Sequence, residues 1–254
     1  MTKKRIGLIV VVLIAALVAY SFIPNQFPVY ETKASAAPEG GHHVLIFGAT
    51  RNSGLETAKI LTARGDRVTA FVRTSSDRSQ LEPLGVEFVV GDALDLPTVE
   101  AAFVDKDYTS VVTTIACFSC EPKPDYLGNR NIFDAAEAAG VKRMILMTTV
   151  GSGDSYDAAP FPARNFLKDI LPLKTQAEDH LMASSLDYTI IRPGGLKSGP
   201  ATGRGYLSNS REAFGIINRA DLAGLVVNII DDNTTIGKAL AAMDADMVFP
   251  WSMF

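Results

Sequence analysis

The residues that can do chemistry begin with two glycines, Gly48 and Gly54, which bracket Thr50, Arg51, Asn52 and Ser53 directly after an apolar run, VLIFGA. A strand that ends in such a turn and hands over to a helix aims backbone N–H groups and the helix N-terminus at one point, an arrangement that binds a pyrophosphate. Gly48 takes the dihedrals of a sharp turn, and Gly54 leaves the backbone free to approach the phosphates. Arg51 stands where a further glycine is often found, so the same residues also read as an ordinary strand, turn and helix. A second apolar run, residues 68–72, ends in Arg73-Thr74-Ser75-Ser76 with no Asp or Glu. In a doubly wound sheet an acidic residue there holds a ribose 2′-hydroxyl, whereas an arginine accepts a 2′-phosphate. Arg73, helped by Arg51 and Ser75, therefore points to NADP(H), with NADPH preferred over NADH. The competing reading is a solvated charge at a strand end.

Cys117 and Cys120 bring a third chemistry, because C-x-x-C spacing suits a redox dithiol, a local disulfide or half a zinc site. The chain has two cysteines and three histidines, His42, His43 and His180, which lie elsewhere in sequence, so no metal site is expected. A disulfide would fit an oxidising compartment and free thiols a reducing one.

Periodicity supplies the elements that must position these groups. The 254 residues carry a formal net charge of −4, enough chain for one large domain and no basic patch for nucleic acid. From residue 42, apolar runs at 44–49, 68–72, 86–90, 110–116, 143–148, 188–191 and 239–243 alternate with helical patterns at 57–64, 98–103, 125–139, 173–184 and 220–230. Strands too continuously apolar to have a wet face, alternating with helices, predict an α/β fold: a doubly wound parallel sheet of Rossmann type, one domain over residues 42–254.

The N-terminus has a different character. Lys3, Lys4 and Arg5 precede an uncharged apolar stretch, residues 6–23. As a helix rising about 1.5 Å per residue it nearly matches a hydrocarbon core of roughly 30 Å, so residues 1–23 are expected to form a transmembrane helix and membrane anchor, with residues 24–41 as a linker. A cleaved signal peptide is the competing reading, but the run is long for one and Ala34-Ser35-Ala36 lies far from its end. The basic residues predict that the domain crosses the membrane, whereas NADP(H) is a cytoplasmic coenzyme. The sequence leaves the side open.

In order along the domain, VLIFGATRNSG, FVR, VVGDALD, YLGNRNIFDAAEAAGVKRMILMTTVG, KTQAEDHLMASSLDYTIIRPGGL and INRADLAGLVVNII make the chain resemble the atypical short-chain dehydrogenase/reductase superfamily, in particular its NAD(P)-binding, NmrA-like members and the flavin and biliverdin reductases. The resemblance implies that Gly48, Thr50, Arg51, Asn52, Ser53 and Gly54 line the pyrophosphate and that Arg73 meets the 2′-phosphate. It implies that Asp92 and Ala93 border the adenine, that Thr114 and Ile115 line the cofactor, and that Pro193, Gly194 and Leu196 approach the nicotinamide. Asp92 reads equally as a turn residue or helix cap.

Members of the superfamily commonly use Tyr-x-x-x-Lys, the lysine lowering the tyrosine pKa and holding the ribose hydroxyls. Here Lys174 opens KTQAEDHL, but Ile170 stands where the tyrosine would be. Lys174 remains the candidate for the nicotinamide ribose, against the alternative of an exposed lysine in a first helical turn. Ser152 and Tyr156, in the loop after the fifth strand, are the candidate catalytic hydroxyls. The implied function is an NADP(H)-dependent oxidoreductase that passes hydride to a small organic acceptor. The alternative is a non-catalytic NADP-binding regulatory or assembly protein with a protein partner, and an epimerase is disfavoured by the missing tyrosine.

Overall fold

A computed structural model describes residues 27–247 of the chain, and the anchor expected over residues 1–23 lies outside them. The strands are β1 (His43–Phe47), β2 (Arg67–Val72), β3 (Glu87–Val90), β4 (Ser110–Thr113), β5 (Arg143–Met147), β6 (Asp187–Pro193), β7 (Gly195–Lys197), β8 (Gly205–Ser208), β9 (Ile216–Asn218) and β10 (Lys238–Asp244). The helices are α1 (Asn52–Arg64), α2 (Leu96–Ala101), α3 (Leu127–Ala138), α4 (Phe161–Phe166), α5 (Leu171–Ala183) and α6 (Arg219–Ile230).

The main sheet has the order β3-β2-β1-β4-β5-β6-β10-β8, parallel throughout except where β8 runs antiparallel to β10. Successive strand residues point to opposite faces, so each strand feeds two cores. Val44 and Ile46 of β1 pack with Leu55 and Leu61 of α1 and with Leu222 and Val226 of α6. Leu45 and Phe47 pack the other way, against Val99 of α2, Ile132 and Phe133 of α3 and Leu181 of α5. Burial on both faces is why the runs are apolar without interruption. Because β2 lies on one side of β1 and β4 on the other, the winding reverses there and a crevice opens beyond the strand carboxyl ends.

Helix α1 starts five residues before the helical pattern expected at 57–64. Asn52, Ser53 and Gly54 are poor helix formers, yet Asn52 accepts φ 55°, a left-handed value that Asn tolerates, and the turn sets the start. Its end follows the sequence: Gly65, at φ 95°, donates its N–H to the Leu61 and Thr62 carbonyls. The short elements α4, β7, β8 and β9 give too little periodicity to be read from sequence.

Residues 27–41 are not a free tether. The Tyr30 N–H donates to the Leu207 carbonyl of β8 at 2.7 Å, the Ser35 N–H to the Asp231 carbonyl at 2.8 Å, and the Lys33 N–H to Asp232 Oδ2 at 2.7 Å. Burial would raise the Asp232 carboxyl, but hydrogen bonds from Thr234 and Lys33 hold it below the usual carboxylate range. Phe27 packs beside Val150, Ala159 and Met243. The strap thus runs from the carboxyl end of β10 to the amino end of β1. Among the described residues no helix is long and apolar enough to cross a membrane.

Candidate functional site

Above the carboxyl ends of the central strands lies a cleft of about 1080 Å³. Its first half is made of main chain. Gly48 sits at φ 89°, and a Cβ there would stand 2.6 Å from Thr114 Oγ1. A Cβ on Gly54 would stand 2.2 Å from the Gly48 carbonyl oxygen. Gly54 is therefore required for seating α1 on the turn, and it does not itself line the cleft. Gly48, Thr50, Arg51, Asn52 and Ser53 do line it. Arg51 precedes α1 without capping it by a side chain, so the first amides of α1, which have no intrahelical acceptor, are offered to the cleft.

Arg73 leaves the end of β2 exposed on the cleft wall, and no carboxylate pairs with it among the described residues. Its neighbour in the cleft is Ser76, whose Oγ accepts the Arg73 N–H at 3.1 Å, in place of the expected Ser75. Asp92 and Ala93 line the same side, and Asp92 Oδ1 also accepts the Leu94 N–H at 2.9 Å, so the turn role and the cleft position coexist. Thr114 and Ile115 leave the sheet as β4 ends at Thr113 and form the floor.

The second half is made of side chains. Lys174 is buried, its Nζ 3.2 Å from Asp125 Oδ1, within ion-pair range though not aligned for a hydrogen bond. Asp125 is fully buried and its other oxygen accepts the Cys117 N–H at 3.2 Å. Asn129 donates to the Asp125 carbonyl at 2.8 Å and accepts the Thr113 hydroxyl at 2.7 Å, tying this cluster to β4. Lys174 is thus held in place and is not a solvated helix lysine. An Asp at the start of a helical pattern looks like a cap, whereas Asp125 is fully buried and Tyr126 occupies the cap position.

One turn along α5 from Lys174, Glu178 is fully buried. It takes Arg192 Nη2 at 2.7 Å and Nε at 3.1 Å, and the Thr148 hydroxyl at 2.5 Å. Burial pulls the Arg192 guanidinium down, but Glu178 and Asp154 hold it above its ordinary value. This pair fixes α5 to the ends of β5 and β6, beside Thr149, Pro193, Gly194 and Leu196, which line the cleft.

The two candidate hydroxyls are elsewhere. Gly151 at φ 101° and Gly153 at φ 52° double the chain back, turning Ser152 Oγ into the protein, buried and without a partner. Tyr156 is exposed and lies under the Arg164 guanidinium, 5.1 Å from the ring centre. Neither lines the cleft, where Thr148 and Thr149 are the hydroxyls from the segment after β5. Among the described residues no tyrosine or histidine lines it, and Ile170 is buried.

Cys117 and Cys120 form a disulfide on the cleft rim, with Cα atoms 5.4 Å apart. No metal-binding cluster occurs among the described residues. His42 and His43 pair with Asp231 and Asp107, each at 2.6 Å, at the amino end of β1, away from the cleft. The outer wall is apolar: the Phe118 and Phe166 rings lie 5.7 Å apart, near Pro160, Pro162 and Phe214. Arg219 lines the cleft, its Nη1 donating to Ser198 Oγ at 3.1 Å and its Nε–H without an acceptor.

This geometry agrees with the comparisons. Residues 48–233 match the profile of a family described as NAD(P)H-binding. The chain belongs to that family. It is 28% identical to an uncharacterized sugar epimerase of Bacillus subtilis over 80% of this chain and 94% of that one. It is also 28% identical to sanguinarine reductase of Eschscholzia californica, over 77% of this chain and 86% of that protein. A solved anaerobilin reductase of Escherichia coli superposes with a TM-score of 0.74 at 32% identity, covering 81% of this chain and 98% of that chain. The fold and these relatives place it among Rossmann-type proteins of atypical short-chain dehydrogenase/reductase kind.

The residues present fit the coenzyme. The uncapped start of α1 and the Gly48 turn form a cradle that a side chain at either glycine would distort, and Arg51 and Arg73 are unpaired cations beside it. When bound, NAD(P)H supplies a hydride.

Proposed function

We propose that this family member is an NADPH-dependent oxidoreductase whose acceptor is a small, planar, conjugated molecule. The observation that carries the reading is Lys174, anchored by Asp125 where the main-chain half of the cleft meets the aromatic half. An ammonium fixed there can hold ribose hydroxyls beside the acceptor, a hydrogen-bonding task that needs no tyrosine. Phe118 and Phe166 suit a flat ring system, and Arg219 suits a carbonyl or carboxylate on it. The closing proton comes from water, which suits conjugated acceptors and a described cleft lining without tyrosine or histidine. Names of relatives support the class: one is a sanguinarine reductase and one an anaerobilin reductase. Preference for NADPH rests on Arg73 in place of an acid. The apolar segment 6–23 serves in this proposal as a membrane tether.

The test is NADPH consumption against flavins, quinones and linear tetrapyrroles, with Lys174→Met as control. Turnover that the variant reduces at least tenfold, with NADPH binding retained, supports the reading. Tight NADPH binding with no consumption by any acceptor overturns it and favours a cofactor-sensing or assembly role, to which the lack of a cleft tyrosine also points.

A further inference from the structure

We propose that the mouth of the cleft rests on a lipid bilayer, so that acceptors enter from the membrane; this entry route rests on the reductase reading, whereas the contact itself does not. Large apolar side chains scattered singly on a surface need no explanation. Here they gather at one place. Phe118, Phe161 and Phe166 are 59%, 72% and 74% exposed, Phe118 and Phe166 line the cleft, and Phe161 opens the same short helix, α4.

What covers them follows from where the N-terminal chain enters. Phe27 packs against Val150, Ala159, Ala241 and Met243, with Ala158 and Phe214 at the edge of the same cluster. The Tyr206 hydroxyl hydrogen-bonds to the Phe27 backbone. Val150 and Phe214 are also cleft walls, and Ala158 and Ala159 lead directly into α4. The strap therefore begins at the carboxyl end of the sheet, beside the cleft mouth, and not at the opposite end where β1 starts.

The apolar segment 6–23 ends four residues before Phe27. Four residues reach at most about 14 Å, so a bilayer holding that segment lies within this distance of Phe27, whose cluster shares Val150 and Phe214 with the cleft wall. Aromatic and aliphatic side chains at that depth enter the interface. A free linker of the full length of residues 24–41 would leave the orientation open; the bound strap does not.

The experiment uses the full chain in phosphatidylcholine vesicles, without coenzyme or acceptor. Nitroxide labels are attached at Phe161→Cys, at Phe166→Cys and, as a control at the amino end of β5, at Lys142→Cys. Collisions with oxygen and with a water-soluble nickel chelate are then compared. The expected result is an oxygen-to-nickel ratio severalfold higher at 161 and 166 than at 142, and its collapse at 166 when Phe161→Asp is added. Three equally water-accessible labels would overturn the proposal. Labels at 161 and 166 shielded from both reagents would overturn it too, by showing a protein surface over the mouth. Because no turnover is read, failure here leaves the reductase assignment standing, and the reverse also holds.

Discussion

The two halves of the cleft are built from different materials. The half under β1, β2 and β3 is a turn of main-chain amides, shaped by two glycines and flanked by a pair of unpaired arginines, all within residues 48–76. The half under β4, β5 and β6 depends on side chains brought together across the fold: Lys174 with Asp125, Glu178 with Arg192, Phe118 with Phe166. The first tolerates almost no added atoms. The second tolerates little lost charge.

The comparison can be broken most severely at Asp125. Asp125→Asn leaves the buried Lys174 ammonium without its carboxylate, a change that costs about 3–5 kcal/mol when one partner of a buried pair is lost; urea unfolding should show a midpoint far below that of the parent. An unchanged midpoint would mean that the second half is not held by this pair. Next comes Gly54→Ala, whose Cβ would meet the Gly48 carbonyl, an atom that cannot yield. Overpacking of this kind costs about 3 kcal/mol, and fluorescence titration should find NADPH binding lost. Arg73→Ala should be smaller and selective. Removing a charged hydrogen-bond partner worth about 1.5–3 kcal/mol weakens NADPH binding by roughly one to two orders of magnitude and leaves NADH unchanged; equal losses for both coenzymes would remove Arg73 from 2′-phosphate recognition.

The smallest effect concerns acid. The Asp232 carboxyl is depressed in the folded protein, so its contribution is present above the unfolded carboxylate value of about 3.9 and is lost as pH falls through the lower folded value. Limited proteolysis of residues 27–41 should therefore quicken below about pH 4, and Asp232→Asn should flatten that dependence.

The same division decided what the sequence could reveal. The glycine turn, the strand runs and Arg73 are local patterns, and the parallel order follows from uninterrupted apolar runs buried on two faces. Lys174 was legible only through family resemblance, and its partner not at all, because an Asp before a helix has a commoner meaning as a cap. Ser152 and Tyr156 were drawn to the site by their hydroxyls, but left-handed glycines at 151 and 153 set their directions, and a glycine's φ is not written in its neighbours. The Pro, Ala and Gly content of residues 24–41 reads as a linker, and the bonds of the strap are invisible in it because they go to main-chain groups far along the chain.

That strap also changes how the protein behaves in solution. β8 is the last strand of the open sheet, and the Tyr30 amide occupies a carbonyl on its outer rim. Unsatisfied rims of this kind recruit strands from other molecules and seed aggregation. A version trimmed to begin at His42 keeps every cleft residue, yet it uncovers a ready template for intermolecular pairing.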